Sequence, residues 1–294
     1  MASRPTWDTI AILGVGLIGG SIGLALKQRA LCRQVVGIGR RPTTLQAAKR
    51  RGAIDRGTVD LARGVADASL IIVCTPVEQV VEYVERVRAV CRPDAIITDV
   101  GSTKARIVEA LDSSAELPAG SSSTGASGAR FVGSHPMAGS EKTGVQHASA
   151  DLFDKRTVIV TPGPTSRAAD VRRVSRLWRS LGGRIVQMEP HAHDAAVASI
   201  SHLPHVVSAA LAAASPREHL GLIAGGWRDT TRVAAGDPEL WRQILLDNRH
   251  ELLQSLAKFS AILKHYQVAL QRGDATALLQ LLELGKNIRD AVGN

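Results

Sequence analysis

Thr9-Ile10-Ala11-Ile12-Leu13-Gly14-Val15-Gly16-Leu17-Ile18-Gly19 is the stretch that decides the fold of this chain. Its apolar first half reads as a buried strand ending in glycines. Leu17 to Arg29 then reads as a helix, with apolar residues at Leu17, Ile18, Ile22, Leu24, Ala25 and Leu26. Between them lies G-x-G-x-x-G. The first glycine allows a tight turn, the second lets backbone approach a pyrophosphate, and the third permits close helix–strand packing beneath an anion-binding helix N-terminus. Alone the pattern is weak, but here it has its strand, its helix and a second strand, Val35-Val36-Gly37-Ile38, at the expected distance. It predicts a dinucleotide site on Gly14, Gly16, Leu17, Ile18 and Gly19.

The same alternation continues outward. Ala68 to Cys74 is a continuous apolar run stopped by Pro76, and Val80 to Val90 has helical periodicity. Ala95-Ile96-Ile97-Thr98-Asp99-Val100 is another buried strand. This order argues for a parallel, doubly wound sheet. In such sheets ligands sit at carboxyl ends of strands, which brings in Thr75, Pro76, Gly101 and Ser102. Residues 113–129 break the pattern, and Ser121 to Gly128 is low-complexity and reads as a surface loop. Phe131-Val132, reading as the end of a strand, and Thr157 to Val160 resume the strands. Val171 to Leu181 is a helix and Arg184 to Met188 a last strand.

Beyond Pro190 only helical periodicity remains, over Asp194 to Ala214, Leu240 to Gln271 and Ala275 to Ala291. The expected architecture is a Rossmann-type α/β domain over residues 1–190 followed by an all-α domain over 191–294. Apolar faces such as Val206-Val207 with Ala209-Ala210-Leu211 suggest that the helical part forms a homodimer, with intrachain packing as the alternative.

The region after the second strand, Ile38-Gly39-Arg40-Arg41, lacks the carboxylate that accepts the ribose hydroxyls of NAD. Arg40 and Arg41 could grip a 2′-phosphate instead, which favours NADP over NAD; the alternative is that both are solvated loop charges.

Composition sets the outer bounds. The 294 residues are enough for two domains, and no unbroken apolar run reaches the roughly 18 residues of a membrane helix. The N-terminus enters a strand at once and leaves no room for a signal peptide, and the three cysteines have neither metal nor disulfide spacing. A cytoplasmic protein is expected, with Cys74 a small core residue. The net charge of +9 comes from scattered basic residues with only 3% aromatics. That argues against nucleic acid and fits an anionic substrate and cofactor.

One loop carries chemistry: Gly133-Ser134-His135-Pro136-Met137-Ala138-Gly139-Ser140-Glu141-Lys142. An imidazole set among proline and glycines can accept a proton from a substrate hydroxyl. His202 and His205, three apart on one helix face, lack an acidic or cysteine partner at metal spacing, so no metal is expected. Pro204 between them suggests a bent helix start, and His191 and His193 read as residues near a helix cap, Asp194.

Five blocks together resemble the prephenate/arogenate dehydrogenase family of tyrosine biosynthesis: Gly14 to Ser21, Asp99 to Lys104, Gly133 to Glu141, Ser201-His202-Leu203-Pro204-His205, and Thr231-Arg232-Val233-Ala234 with Asp237 to Trp241. They cover nearly the whole chain in the family's order. The resemblance implies oxidative decarboxylation of a cyclohexadienol: prephenate to 4-hydroxyphenylpyruvate, or arogenate to tyrosine. It implies that His135 polarises or deprotonates the C4 hydroxyl and that Ser102 orients imidazole and substrate. Arg232 binds a substrate carboxylate, His205 and Trp241 line the pocket with Ser201, and Glu141 belongs to a charged network at its mouth. Asp151 is a candidate contact for the arogenate ammonium, or else a solvated turn residue. A β-hydroxyacid dehydrogenase is the rival, but Lys258, Lys264 and Lys286 lack that class's motif. No βαββαβ effector pattern follows the helices, so any tyrosine inhibition is expected to be competitive.

Overall fold

The structure is a computed structural model that describes residues 6–115, 129–140 and 142–293. The low-complexity stretch Ser121 to Gly128 and Glu141 lie outside the described residues. The elements run β1 (Trp7–Leu13), α1 (Leu17–Gln28), β2 (Cys32–Ile38), α2 (Pro42–Arg50), β3 (Arg56–Thr58), α3 (Leu61–Val65), β4 (Leu70–Val73), α4 (Val80–Arg88), β5 (Ile96–Asp99), α5 (Ala105–Ala115) and β6 (Arg130–Pro136). They continue with β7 (Thr157–Thr161), α6 (Ala168–Ser180) and β8 (Arg184–Gln187). Helices follow: α7 (Pro190–Val197), a π-helical turn Ala198–His202, α8 (Leu203–Ala214), α9 (Gly225–Thr231), α10 (Pro238–Asp247), α11 (Arg249–Arg272) and α12 (Ala275–Val292).

The strands form one sheet in the order β3-β2-β1-β4-β5-β6-β7-β8. Successive residues of β1 bury on opposite faces. Ile10 and Ile12 join Ile22, Leu26 and Trp178 on one side, while Ala11 and Leu13 join Val84, Ile97 and Ile107 on the other. Burial on both faces is why these strands read as unbroken apolar runs.

The sheet departs from the expected all-parallel arrangement at β7, which pairs antiparallel with β6, while β8 runs parallel to β7. A parallel neighbour needs a crossover that carries the chain back to the opposite edge. Among the described residues of 137–156 the only helical element is a 3-10 turn, Val145–His147, which packs against α1, so β7 starts where β6 ends, with Val158 opposite Pro136. This register also corrects the reading of the histidine loop. Gly133, Ser134, His135 and Pro136 continue the strand, and His135 is buried on it opposite Ile159.

Two helical expectations also change. The long helix expected over Leu240 to Gln271 is broken at Asn248, whose side-chain amide donates 2.8 Å to the Asp194 carbonyl and lies 3.2 Å from His202 Nδ1. The helical stretch Pro190–Ala214 is 25 residues long with mean hydropathy 1.4, enough by length and composition to cross a membrane. In this chain it is instead docked on the sheet domain through His193 and Asp194.

Trp178 is fully buried, and its indole N–H donates to Ser134 Oγ at 3.0 Å. Trp178→Ala is expected to lower unfolding free energy by about 3–5 kcal/mol, read as a lower midpoint in urea unfolding followed by circular dichroism.

Candidate active site

The glycine turn is built as the sequence requires. Gly14 has φ +94°, and a Cβ there would lie 2.4 Å from the Cys74 carbonyl oxygen; a Cβ at Gly19 would lie 2.0 Å from that of Gly14. Only glycine fits either position. At Gly16 a Cβ would meet nothing within 4 Å, so the space above the turn is open. It opens onto the N-terminus of α1, which has no side-chain cap and no acidic residue in its first turn. A pyrophosphate fits there, beside Leu17 and Ile18, on free backbone N–H groups. The hydroxyl of Thr75, just past β4 and followed by Pro76, is buried without a partner. β1 and β4 are neighbours where the strand order reverses, the crevice in which open α/β sheets bind ligands. Arg40 and Arg41 are exposed beyond β2.

On the far side of β4, one buried carboxylate organises two strand ends. Asp99 accepts the Ser134 amide on Oδ1 at 3.0 Å and the Gly101 amide on Oδ2 at 2.9 Å. Oδ2 also pairs with the Lys104 ammonium, and both side chains are fully buried. Ser134 Oγ donates to the Asp99 carbonyl and accepts from Trp178, with the Thr98 hydroxyl 2.9 Å away. Position 134 therefore locks the strand immediately before His135.

His135 Nδ1 lies 2.9 Å from His193 Nε2, and His193 Nδ1 lies 2.7 Å from Asp194 Oδ1. Asp194 also accepts the backbone N–H groups of Lys104 and Ala105 at the start of α5, at 2.8 and 2.9 Å. Burial by itself would raise this carboxyl, but the His193 hydrogen bond and the two amides outweigh it and hold it below the ordinary carboxylate range. An ionised Asp194 requires a proton on His193 Nδ1. With that proton given to Asp194, His193 Nε2 offers its lone pair and His135 Nδ1 donates to it. The chain of donors leaves the lone pair of His135 on Nε2. Burial above all, with the Lys104 ammonium adding to it, pushes the His135 imidazole well below its ordinary pKa.

Asp194 is thus no cap of its own helix. Glu189 caps α7, accepting the Ala192 amide, and Pro190 supplies the first turn, leaving Asp194 free to cap α5. His193 and Asp194 were invisible as site residues in the sequence, because their partners lie 58 and 90 positions away. Ser102 makes no side-chain hydrogen bond among the described residues, so its hydroxyl is open to a ligand; the partner that orients the imidazole is His193.

The helical domain supplies an aromatic wall. The rings of His205 and Trp241 stack 3.6 Å apart at 11°, and His202 meets Trp241 edge-on at 6.2 Å. A Cβ at Gly236 would come within 2.7 Å of the Trp241 indole, so glycine is needed behind the stack. His205 Nδ1 is buried with no partner. Burial lowers the pKa of both histidines, that of His202 to about 4. Ser201 is half-buried beside His202. Arg232 is exposed and opens the turn Arg232–Ala235, which packs against α8, the helix that carries His205. Asp151 is exposed in a turn held to the end of α1 by Arg29, which donates to the Ala150 carbonyl. Among the described residues no three His, Cys, Asp or Glu side chains form a metal cluster.

A doubly wound dinucleotide fold, with a buried histidine at its strand ends hydrogen-bonded to a following helical region, is the arrangement of a dinucleotide-dependent dehydrogenase. The family described as "Prephenate dehydrogenase, nucleotide-binding domain" matches residues 22–187, and "Prephenate dehydrogenase, dimerization domain" matches residues 189–284. Prephenate dehydrogenase of Bacillus subtilis is 35% identical over 97% of this chain and 76% of its own length. Prephenate dehydrogenase from Aquifex aeolicus, solved with hydroxyphenyl propionate and NAD+, superposes with TM-score 0.86 at 30% identity over 97% of this chain and 98% of that one. Synechocystis arogenate dehydrogenase gives TM-score 0.79 at 31% identity over 97% and 99% of the two chains. The chain belongs to the prephenate dehydrogenase family.

Two pH responses follow. Because His135 is held neutral well below 6.5, turnover should stay level as pH falls through 6.5 and drop only well below it, as a pH profile of kcat will read. His202 is neutral in the folded state down to about 4, whereas the unfolded chain takes up its proton near 6.5. The unfolded state therefore binds more protons between those values. Stability should fall by about 3 kcal/mol from this group as pH drops across that window. A urea midpoint that is as steep in pH for His202→Gln as for the wild type contradicts this assignment.

Proposed function

We propose that this chain catalyses the NAD(P)-dependent oxidative decarboxylation of prephenate to 4-hydroxyphenylpyruvate in tyrosine biosynthesis. The observation that carries the reading is the ordered chain from Asp194 through His193, which leaves a lone pair on His135 Nε2. Gly14, Gly16, Leu17, Ile18, Gly19, Thr75, Pro76 and Gly101 hold the dinucleotide, whose nicotinamide, when bound, accepts the hydride from C4. His135 Nε2 takes the C4 hydroxyl proton as that carbon becomes a ketone. The ring carboxylate then leaves as carbon dioxide, its electron pair completes the aromatic ring, and the proton returns to the phenolic oxygen. Ser102 donates a second hydrogen bond at that oxygen. Arg232 binds a substrate carboxylate. His205 and Trp241, with Ser201, form the wall along the ring.

Arg40 and Arg41, with no carboxylate in Ile38-Gly39-Arg40-Arg41, favour NADP over NAD. The prephenate dehydrogenases among the chain's relatives favour prephenate over arogenate, and Asp151, exposed in its turn, reads as a solvated residue. We divide the chain into a nucleotide domain, 1–190, and a substrate and dimerisation domain, 191–294. Leu253, Leu270, Leu279, Leu282 and Ile288 are more than half exposed, and α12 buries no residue, which supports a homodimer through these helices.

Specificity constants for prephenate and arogenate, each with NAD and NADP, test substrate and cofactor together; the highest value is expected for prephenate with NADP. His135→Asn is expected to lower kcat by about 10²–10⁴-fold with cofactor affinity retained, and an unchanged rate removes the mechanism. Light scattering should return twice the 31.1 kDa chain mass.

A further inference from the structure

The loop that carries Ser102 is held from the helical domain at two points, and the proton chain uses only one of them. The second is Asp247, the last residue of α10, whose side chain is 7% exposed. Its Oδ2 accepts the hydroxyl of buried Thr103 at 2.5 Å, and its Oδ1 pairs with the Arg106 guanidinium. The same helix carries Trp241 of the aromatic wall. It also carries Arg242, which bridges to Glu78 on the turn that follows Thr75-Pro76. Ile244 joins the core cluster that includes Val77. One helix thus touches the wall on which a ring would lie and both strand-end loops that face it.

We propose that Asp247 is a positioning residue: by holding Thr103 and Arg106 it sets Ser102 at a fixed place relative to the His205–Trp241 wall. The inference rests on the reading of Ser102 and that wall given above. The geometry supports it in three ways. Ser102 is flanked by Gly101, pinned to Asp99, and by Thr103, pinned to Asp247, so its backbone is fixed on both sides. The Thr103 hydroxyl donates to a charged acceptor that is itself largely buried, a strong hydrogen bond for a neutral group. Trp241 and Asp247 lie on one rigid helix, so a shift of the wall carries the loop with it. Hydroxyl placement of this kind is felt in turnover, since an ångström of misplacement can cost about a hundredfold in rate.

The test uses steady-state kinetics of the full chain with prephenate. Thr103→Val should lower kcat about tenfold or more with KM nearly unchanged, while Thr103→Ser, which keeps the hydroxyl, should stay within about twofold of wild type. In a Ser102→Ala background Thr103→Val should cost nothing further, because there is no longer a hydroxyl to place. A purely structural role would instead add its full loss in both backgrounds. Should Thr103→Val fail to fold, Arg106→Met removes the other, half-exposed hold, with a several-fold loss of kcat expected and the same dependence on Ser102. Wild-type turnover in the folded variants, a fully additive loss, or wild-type turnover of Ser102→Ala each overturns the inference. A wild-type chain inert toward prephenate and arogenate would instead sink the reading of the site itself.

Discussion

The Asp194 carboxylate is the constraint on which the rest of this site depends. It stands on the first helix of the helical domain and caps the N-terminus of α5 in the sheet domain, taking the amides of Lys104 and Ala105. A carboxylate at a helix N-terminus is favoured by the helix dipole and by donors that have no partner within the helix. Those contacts keep a buried charge ionised, and the charge dictates where each proton on His193 and His135 resides. The contact of the helical region with the sheet and the tautomer of His135 are therefore one interaction. Removing the carboxylate would leave two helix amides without acceptors and the imidazole order undefined.

Asp99 does for the strand ends what Asp194 does between domains. Its two oxygens hold β6 at Ser134 and the loop at Gly101, and Lys104 neutralises it from the same turn that Asp194 caps. A fully buried ion pair contributes little to stability over a well-packed apolar alternative. Its worth here is geometric: the strand bearing His135 and the loop bearing Ser102 share a single anchor. Residues 101–106 are consequently gripped by three carboxylates, from Asp99, Asp194 and Asp247, drawn from both parts of the chain.

Much of this was legible in the sequence, and what was not has a common physical cause. The glycine turn and the paired strands are local: each needs only its neighbours, so Gly14 to Gly19 and the runs at Ala68 and Ala95 announce themselves. His135 was legible as a residue but not as part of a strand, because Pro136 and the glycines look like a turn until β7 is seen to pair with them. The break at Asn248 had no local signal, since its cause is an amide captured by Asp194 and His202 from another helix. Asp194 itself looked like a cap, the usual role of an aspartate at a helix start. The sign to the contrary was Glu189-Pro190, which already supplies a cap and a first turn.

The neutral state of the histidines bears on the chemistry as much as their positions do. In oxidative decarboxylation the hydroxyl proton of the substrate is not released; it ends on the phenol of the product. A strongly basic acceptor would keep it. Burial makes His135 a weak base at rest, which suits the proposed role of a group that takes the proton and gives it back. A weak base is also a reluctant acceptor, and here the Asp194 charge enters. Once Nε2 is protonated, the positive charge on His135 is met through His193 by an anion fixed in place beforehand, so the imidazolium is stabilised only when it forms. In the proposed reaction the binding of negative charge is left to Arg232 and to the bare N-terminus of α1. That division lets the base stay uncharged beside a dianionic substrate, its protonation governed by the donor chain behind it and not by the ligand's carboxylates.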